Sequence, residues 1–157
     1  MRWTVTDSPI GPLSVGADDA GVCGLRFGPI DDPGRPVGVL ASAVSQLRDY
    51  FAGALVDFDL PLSVRHGSGF DRAVWHRMSQ IPYGTTRTYG EIAAAVGDPS
   101  AARAVGVACN RNPIAVIVPC HRIVGAGGKL VGFGGGLPRK RYLLELEAGV
   151  SLQRAWT

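Results

Sequence analysis

Hydrophobic and polar positions follow two different periods in this chain, and the change falls near residue 65. Residues 2–7, 12–17 and 21–28 alternate as short strands, with turns at Ser8-Pro9-Ile10-Gly11-Pro12 and Asp18-Asp19-Ala20-Gly21. In the third strand Cys23, Leu25 and Phe27 share one face, which assigns Cys23 to the core. Residues 29–38 form a loop rich in Pro, Gly and Asp. Over residues 39–52 the period becomes helical, with Leu40, Val44, Leu47 and Phe51 on one face and Gly53 suited to the end. Val56, Phe58 and Leu60 then alternate with Asp57 and Asp59, which predicts a further strand, and Pro61 to Gly69 reads as a linker.

Beyond the linker the pattern is mainly helical. Phe70, Val74, Trp75, Met78 and Ile81 make one apolar face over residues 70–80, closed by Pro82-Tyr83-Gly84. Thr88 and Glu91 have capping-box spacing, so a helix is expected from Tyr89 to Val96, ending at Gly97. Asp98 is expected to cap a second helix with Pro99 in its first turn, running to Cys109. Together these predict a helix-turn-helix. The second helix carries almost only small residues and one long side chain, Arg103. Such a slim face suits tight packing against the protein's own core. It equally suits close approach to a nucleic-acid groove, where a minor groove and an inserted wedge fit better than base-edge readout. Asn112-Pro113 is a turn, or a bridge from the helix end to the next segment. Ile114 to Val118 reads as a buried strand. A last helix opens at Pro138 and closes at Gly149, with Arg139, Lys140 and Arg141 first and Glu145 and Glu147 last. That order opposes the helix dipole, so these charges are expected to have partners: phosphates for the basic cluster, an imidazole for Glu147.

Charge sharpens the division at residue 65. Residues 1–65 hold five arginines against eight aspartates, whereas residues 66–157 hold eleven basic against five acidic side chains. A basic half suggests a polyanionic partner, although charge for solubility explains it equally well. The chain of 157 residues allows one moderate core or two small ones. No segment reads as a membrane span. The start MRWTVTDSPIG lacks an apolar leader run, so a cytoplasmic protein is expected. Three cysteines at irregular spacing argue against a disulfide framework or a zinc site.

The chemistry concentrates at Pro119-Cys120-His121-Arg122, between the apolar run and a glycine-rich loop. A histidine beside a cysteine supplies a base to a thiol whose reactive form is the thiolate. A carboxylate such as Glu147 could hold the imidazole in one tautomer.

In this context the chain resembles the O6-alkylguanine-DNA alkyltransferases, of the bacterial constitutive type. The resemblance rests on Ile81-Pro82-Tyr83-Gly84, Thr88-Tyr89, Ala101 to Gly106, Asn112-Pro113, Pro119 to Arg122, Gly134-Gly135-Gly136 and Leu143 to Glu147. It is strong over Phe70 to Gly149 and weak over the first 65 residues. It implies an α/β (α+β) protein with two domains. Residues 1–65 would be a small strand-and-helix domain, ribonuclease-H-like and structural. Residues 66–157 would be a mainly helical domain that binds DNA and carries the transfer.

The resemblance also implies roles. Cys120 is the nucleophile that takes an alkyl group from guanine O6, or thymine O4, in duplex DNA, once and irreversibly. His121 accepts the thiol proton through a water, with Glu147 behind it, and Asn112 holds the segment. Tyr89 crowds the phosphate, aids rotation of the nucleotide and donates to the base at N3. Arg103 fills the gap in the duplex, and Ala102, Gly106 and Thr88 line the DNA face. The carbonyls of Cys120 and Ile123 accept from the guanine amine, the Gly134 amide faces O6, and Phe133 walls the pocket. Phe133 stands where many relatives have tyrosine, and Gly134 replaces a larger residue of some relatives, which implies a wider pocket. No metal or cofactor is implied, and the protein is expected to be a monomer that could cluster on DNA. Two rivals are a lesion-binding relative without transfer, disfavoured by the presence of Cys120, and an unrelated hydrolase using Cys120, His121 and Glu147.

Overall fold

Alternation over the first residues gives three antiparallel strands in sequential order, β1 (Arg2–Thr6), β2 (Leu13–Asp18) and β3 (Gly21–Phe27). The structure is a computed structural model and describes residues 1–156. β2 is the central strand and is buried along most of its length. Its register against β3 shifts between Gly16 and Ala17, so Cys23 is the extra residue of a bulge. Gly16 and Gly24 face each other across the sheet, and the Trp3 indole lies on both. A Cβ at Gly24 would come within 2.6 Å of that ring. Arg26 stacks over the outer side of the indole, 4.8 Å from its centroid.

Helix α1 (Val39–Phe51) packs on this sheet through Leu40, Ala43, Val44, Leu47 and Tyr50. It ends as its sequence predicts, with Gly53 at φ 78°. The strand expected over residues 56–60 is absent. Val56, Phe58 and Leu60 do turn partly inward, but the backbone finds no ladder partner there. The Gln46 side chain substitutes for one, bonding Asp59 N at 2.8 Å and Asp59 O at 2.9 Å. The outer edge of β3 is covered by two single parallel bridges, Val22 to Leu62 and Leu25 to Ile114.

The chain divides into two compact units. One contains Met1–Arg65 and also Pro113–Ile117; the other contains His66–Asn112 and Val118–Thr157. The expected strand at Ile114 to Val118 is therefore a different object. The run is buried, but only Ile114 pairs, and the rest is a turn. Val116 has φ 71°, and Ile117 N bonds Ala115 O at 2.8 Å, a γ-turn of the rare positive-φ form. A β-branched residue there costs about 1–3 kcal/mol and persists only where its surroundings over-determine it. Pro119, at φ −82° and ψ 67°, makes the commoner inverse γ-turn, with Cys120 N on Val118 O at 2.8 Å.

In the second unit, α2 (Gly69–Ser79) opens with a capping box between Ser68 and Asp71. Its indole Trp75 donates to Ala108 O at 2.8 Å, tying it to α4 (Ala102–Asn110). A short parallel pair, β4 (Arg87–Thr88) and β5 (Ile123–Val124), joins the start of α3 (Tyr89–Ala95) to the cysteine segment. Thr88 and Glu91 form the expected capping box. The helix-turn-helix of α3 and α4 is present, with Gly97 at φ 94° in its turn. Asp98 does not cap α4. It makes a turn of its own, accepting from Ser100 N at 3.1 Å, and the helix begins three residues later than expected.

Helix α5 spans Leu137–Ala155, so Gly149 lies inside it rather than closing it. Glu145 and Glu147 are consequently mid-helix, and the last turn carries Arg154. The inverted dipole inferred for this helix holds only at its N-terminus. Among the described residues no helix is long and apolar enough to cross a membrane.

Candidate active site

Two γ-turns deliver the chain into a single 3-10 turn, Cys120–Arg122, whose three side chains are all buried. Burial raises the Cys120 thiol above its usual range, opposed by a hydrogen bond from Asn112 and by the charge of Lys140. The group at rest is a thiol, and its reaction requires a base. Asn112 also donates to Val118 O at 2.8 Å, so one amide braces the backbone before Cys120 and favours the thiolate when it forms.

The neighbouring side chain is a candidate for that base. His121 is fully buried, and its Nε2 lies 2.7 Å from Glu147 Oε2. Glu147 is an anion: burial works against its charge, but hydrogen bonds from His121 and Arg122 outweigh that and bring the carboxyl down to about 2. An anionic acceptor assigns the ring proton to Nε2, which leaves Nδ1 as a bare lone pair. Nδ1 is buried and has no hydrogen-bond partner among the described residues. Desolvation pushes the imidazole below its ordinary value, against the pull of Glu147, so it is neutral near pH 7.

Glu147 does more than face the histidine. Arg122 grips it with Nε at 2.8 Å from Oε1 and Nη2 at 3.0 Å from Oε2, and Gly84 N reaches Oε1 at 3.3 Å. The remaining Arg122 Nη1 donates to Ile81 O at 2.7 Å, and the guanidinium lies 5.5 Å from the Tyr83 ring centroid. Gly84, at φ 76°, faces Ser151 of α5 where a Cβ would not fit. The Pro82-Tyr83-Gly84 motif is thereby explained as the seat of the α5 carboxylate.

A second cluster surrounds Tyr89. Its hydroxyl donates to Val131 O at 3.1 Å and Gly132 O at 3.3 Å. Desolvation, with the fields of Cys109 and Cys120, pushes this phenol up to about 12, so it stays protonated. The ring lies against α4, with a Cβ built on Gly106 only 3.8 Å from Cε1. Lys140 stands 5.9 Å from the ring centroid and sends Nζ to Val131 O at 3.0 Å. Lys140 is fully buried and cannot face phosphates as part of a basic cluster, which corrects that expectation. Cys109 is buried with its Sγ 3.6 Å from Met78 Sδ, and burial pushes its thiol up to about 12.

The structure thus gathers Cys120, His121, Glu147 and Asn112 directly and places Tyr89 within electrostatic reach of Cys120. Ile123 is buried in β5, and its amide already bonds Cys120 O. Phe133 is half-buried, and Gly134 is exposed with open space where a side chain would go. Thr88 is occupied as the cap of α3. Arg103 is exposed near the start of α4, with Ala102 and Gly106 half-buried beside it. The sequence pointed to no role for Arg122 in holding Glu147, or for Lys140 beside Tyr89. The available signals were position, inside the cysteine motif, and rarity, one of only two lysines.

Comparison with known proteins identifies the family. Residues 69–149 match the family model for the 6-O-methylguanine DNA methyltransferase DNA binding domain, and residues 1–64 match that for the 6-O-methylguanine DNA methyltransferase ribonuclease-like domain. A methylated-DNA–protein-cysteine methyltransferase of Mycobacterium bovis is 50% identical over 153 residues, covering 94% of this chain and 92% of the relative. One from Methanosarcina acetivorans is 47% identical over 154 residues, covering 94% and 98%. The crystal structure of Mycobacterium tuberculosis OGT in complex with DNA superimposes with a TM-score of 0.87 at 48% identity, covering 96% of this chain and 94% of that one. With both of its regions matched, and half of its residues shared with a relative of nearly equal span, the chain belongs to the 6-O-methylguanine DNA methyltransferase family.

Proposed function

We propose that this protein repairs DNA by moving the alkyl group of O6-alkylguanine, and of O4-alkylthymine, in duplex DNA onto its own Cys120, once per molecule. The observation that carries this reading is the bare, buried Nδ1 of His121 beside a thiol that burial keeps protonated. His121 takes the Cys120 proton through a bridging water. The thiolate attacks the alkyl carbon, a carbon–sulfur bond forms and the carbon–O6 bond breaks. The electron pair stays on guanine, the proton that His121 took from Cys120 is released to solvent and the base takes one up, so base, thioether and imidazole all end neutral. Tyr89, held protonated, donates to N3 once its hydroxyl leaves the carbonyls of Val131 and Gly132. No neighbouring group offers a route back from a thioether, and no metal or organic cofactor is required.

A base inside a duplex is out of reach, so the nucleotide must rotate out. The small residues Ala102 and Gly106 let α4 approach a minor groove, with exposed Arg103 filling the space left in the stack. Thr88 and Tyr89 lie at the start of α3, where the phosphate is crowded. Phe133 and Gly134 bound the flipped base, with the carbonyls of Cys120 and Ile123 accepting from its amine. The excess of basic residues over 66–157 supports the DNA partner. Free cysteines suit a reducing cytoplasm, and the protein works as a monomer.

Intact mass after incubation with excess O6-methylguanine duplex, followed by peptide mapping, tests this. One methyl group on Cys120, none on Cys120→Ser, and no further turnover are expected. An unmodified protein that still binds the lesion means a recognition module instead, and multiple turnover means a hydrolase.

A further inference from the structure

A histidine and a carboxylate alone in a dry site share one favourable arrangement, imidazolium beside carboxylate, because each charge then has a partner. That arrangement would spoil His121 as a base, since its acceptor nitrogen would already hold a proton. The structure contains a third member that changes the balance. Arg122 contacts both oxygens of Glu147, and His121 shares only Oε2.

We propose that Arg122 is a positioning residue of the transfer reaction: it supplies the counter-charge of Glu147, so that His121 is oriented by the carboxylate without being protonated by it, and Nδ1 stays open for the Cys120 proton. The inference rests on the Cys120 reading above and deepens it. The groups that act on the imidazole are Arg122 from its own turn and Glu147 and Lys140 from α5, with Tyr83 beside the Glu147–Arg122 pair and Cys120 the preceding residue of the chain. With Arg122 and Lys140 positive, Glu147 negative and the other groups neutral, a proton on His121 at rest would add positive charge to a site already not short of it. A proton that arrives from Cys120 brings its own thiolate, so the same imidazolium is tolerated only as the nucleophile forms. Arg122 in this way couples protonation of the base to creation of the thiolate.

The fork geometry matters as well as the charge. Two parallel contacts fix the carboxylate plane, and Nη1 on Ile81 O fixes the guanidinium. A lysine would restore the charge but not that plane.

The test is the ring titration of His121 by nitrogen NMR, with transfer rate against pH measured in parallel on O6-methylguanine duplex. His66 and His76 are exposed and serve as internal controls. In the unaltered protein the ring is expected to be neutral at pH 7, with the proton on Nε2. In Arg122→Met the ring is expected to bind protons at least about tenfold more tightly, one pH unit, and the acid limb of the transfer rate to move by the same amount. Arg122→Lys should keep the titration near that of the unaltered protein while transferring more slowly. The double variant Arg122→Met with Glu147→Gln removes charge and counter-charge together, and its ring should titrate no higher than the unaltered one.

A charged ring at pH 7 in the unaltered protein, an unmoved titration in Arg122→Met, or a raised one in the double variant would each overturn the proposal. If Arg122→Met does not fold, the unaltered protein and the double variant decide. Failure of the unaltered protein to methylate Cys120, with the ring neutral as expected, would overturn the transfer reading and leave the charge arrangement standing.

Discussion

The two units solve opposite problems with their interiors. The fully or nearly buried polar side chains of the first are Thr4, Thr6 and Ser14, all uncharged. Those of the second are Asp71, His121, Arg122, Lys140 and Glu147, all ionisable. The first unit is ordinary packing, an indole seated on two glycines and a helix laid on a three-stranded sheet. The second removes charges from water and compensates each with named partners, an arrangement that gains little over an apolar interior but is costly to break at one partner. Cys23 and Cys120 make the contrast at the level of one residue type. Burial raises both thiols, but of the two only Cys120 has a side-chain amide, that of Asn112, favouring its thiolate.

The comparison breaks most sharply at Glu147. Glu147→Ala leaves Arg122 buried without its carboxylate and is expected to destabilise the protein by about 3–5 kcal/mol, with transfer lost in the fraction that folds. Urea unfolding and Cys120 methylation read the two effects. Acid sharpens the same point. The Glu147 carboxyl falls from an unfolded value of 4.5 to about 2, so its contribution is complete above pH 4.5 and disappears as pH falls toward 2. It is worth on the order of 3 kcal/mol over that window. His121, lowered by burial, acts in the same direction between its unfolded value of 6.5 and its lower folded one, because the unfolded chain binds that proton more readily. Urea midpoints from pH 7 to 3 should therefore fall steadily, and less steeply for Glu147→Gln.

The first unit predicts a smaller and purely structural effect. Gly24→Ala drives a Cβ into Trp3 and should cost about 1–3 kcal/mol, without changing the transfer rate per folded molecule. A changed rate would show that the sheet contributes to the chemistry. The smallest effect is Gly149→Ala, at an exposed position inside α5 with open space for a Cβ. It should stabilise by up to about 1 kcal/mol, read as a raised melting temperature.

Patterns carried by neighbours in sequence were legible. The strands of the sheet, α1, the apolar face of α2 and the capping box of α3 follow from residues within a few positions of one another, because the ladder period and the helical period are local properties. Errors arose where a local pattern had to meet a distant partner. Residues 56–60 alternate as a strand, but Gln46 took the place of a neighbouring strand. Ile114 to Val118 are apolar enough for a strand, yet Val116 turns the chain. Gly149 looked like a helix end, although the helix continues to Ala155.

The sequence alone determined that a cysteine and a histidine would be adjacent and which family pattern surrounds them. The pairing of His121 with Glu147, 26 positions apart, was suggested by the charge order of the last helix and by resemblance, and its geometry came only with the fold. Tertiary structure decided the protonation of the site. Whether His121 is neutral, Glu147 anionic or Lys140 hidden from solvent depends on desolvation and on charges placed by α5 and by the turn at Gly84. Those terms act through space over a few ångströms, and no spacing along the chain encodes them.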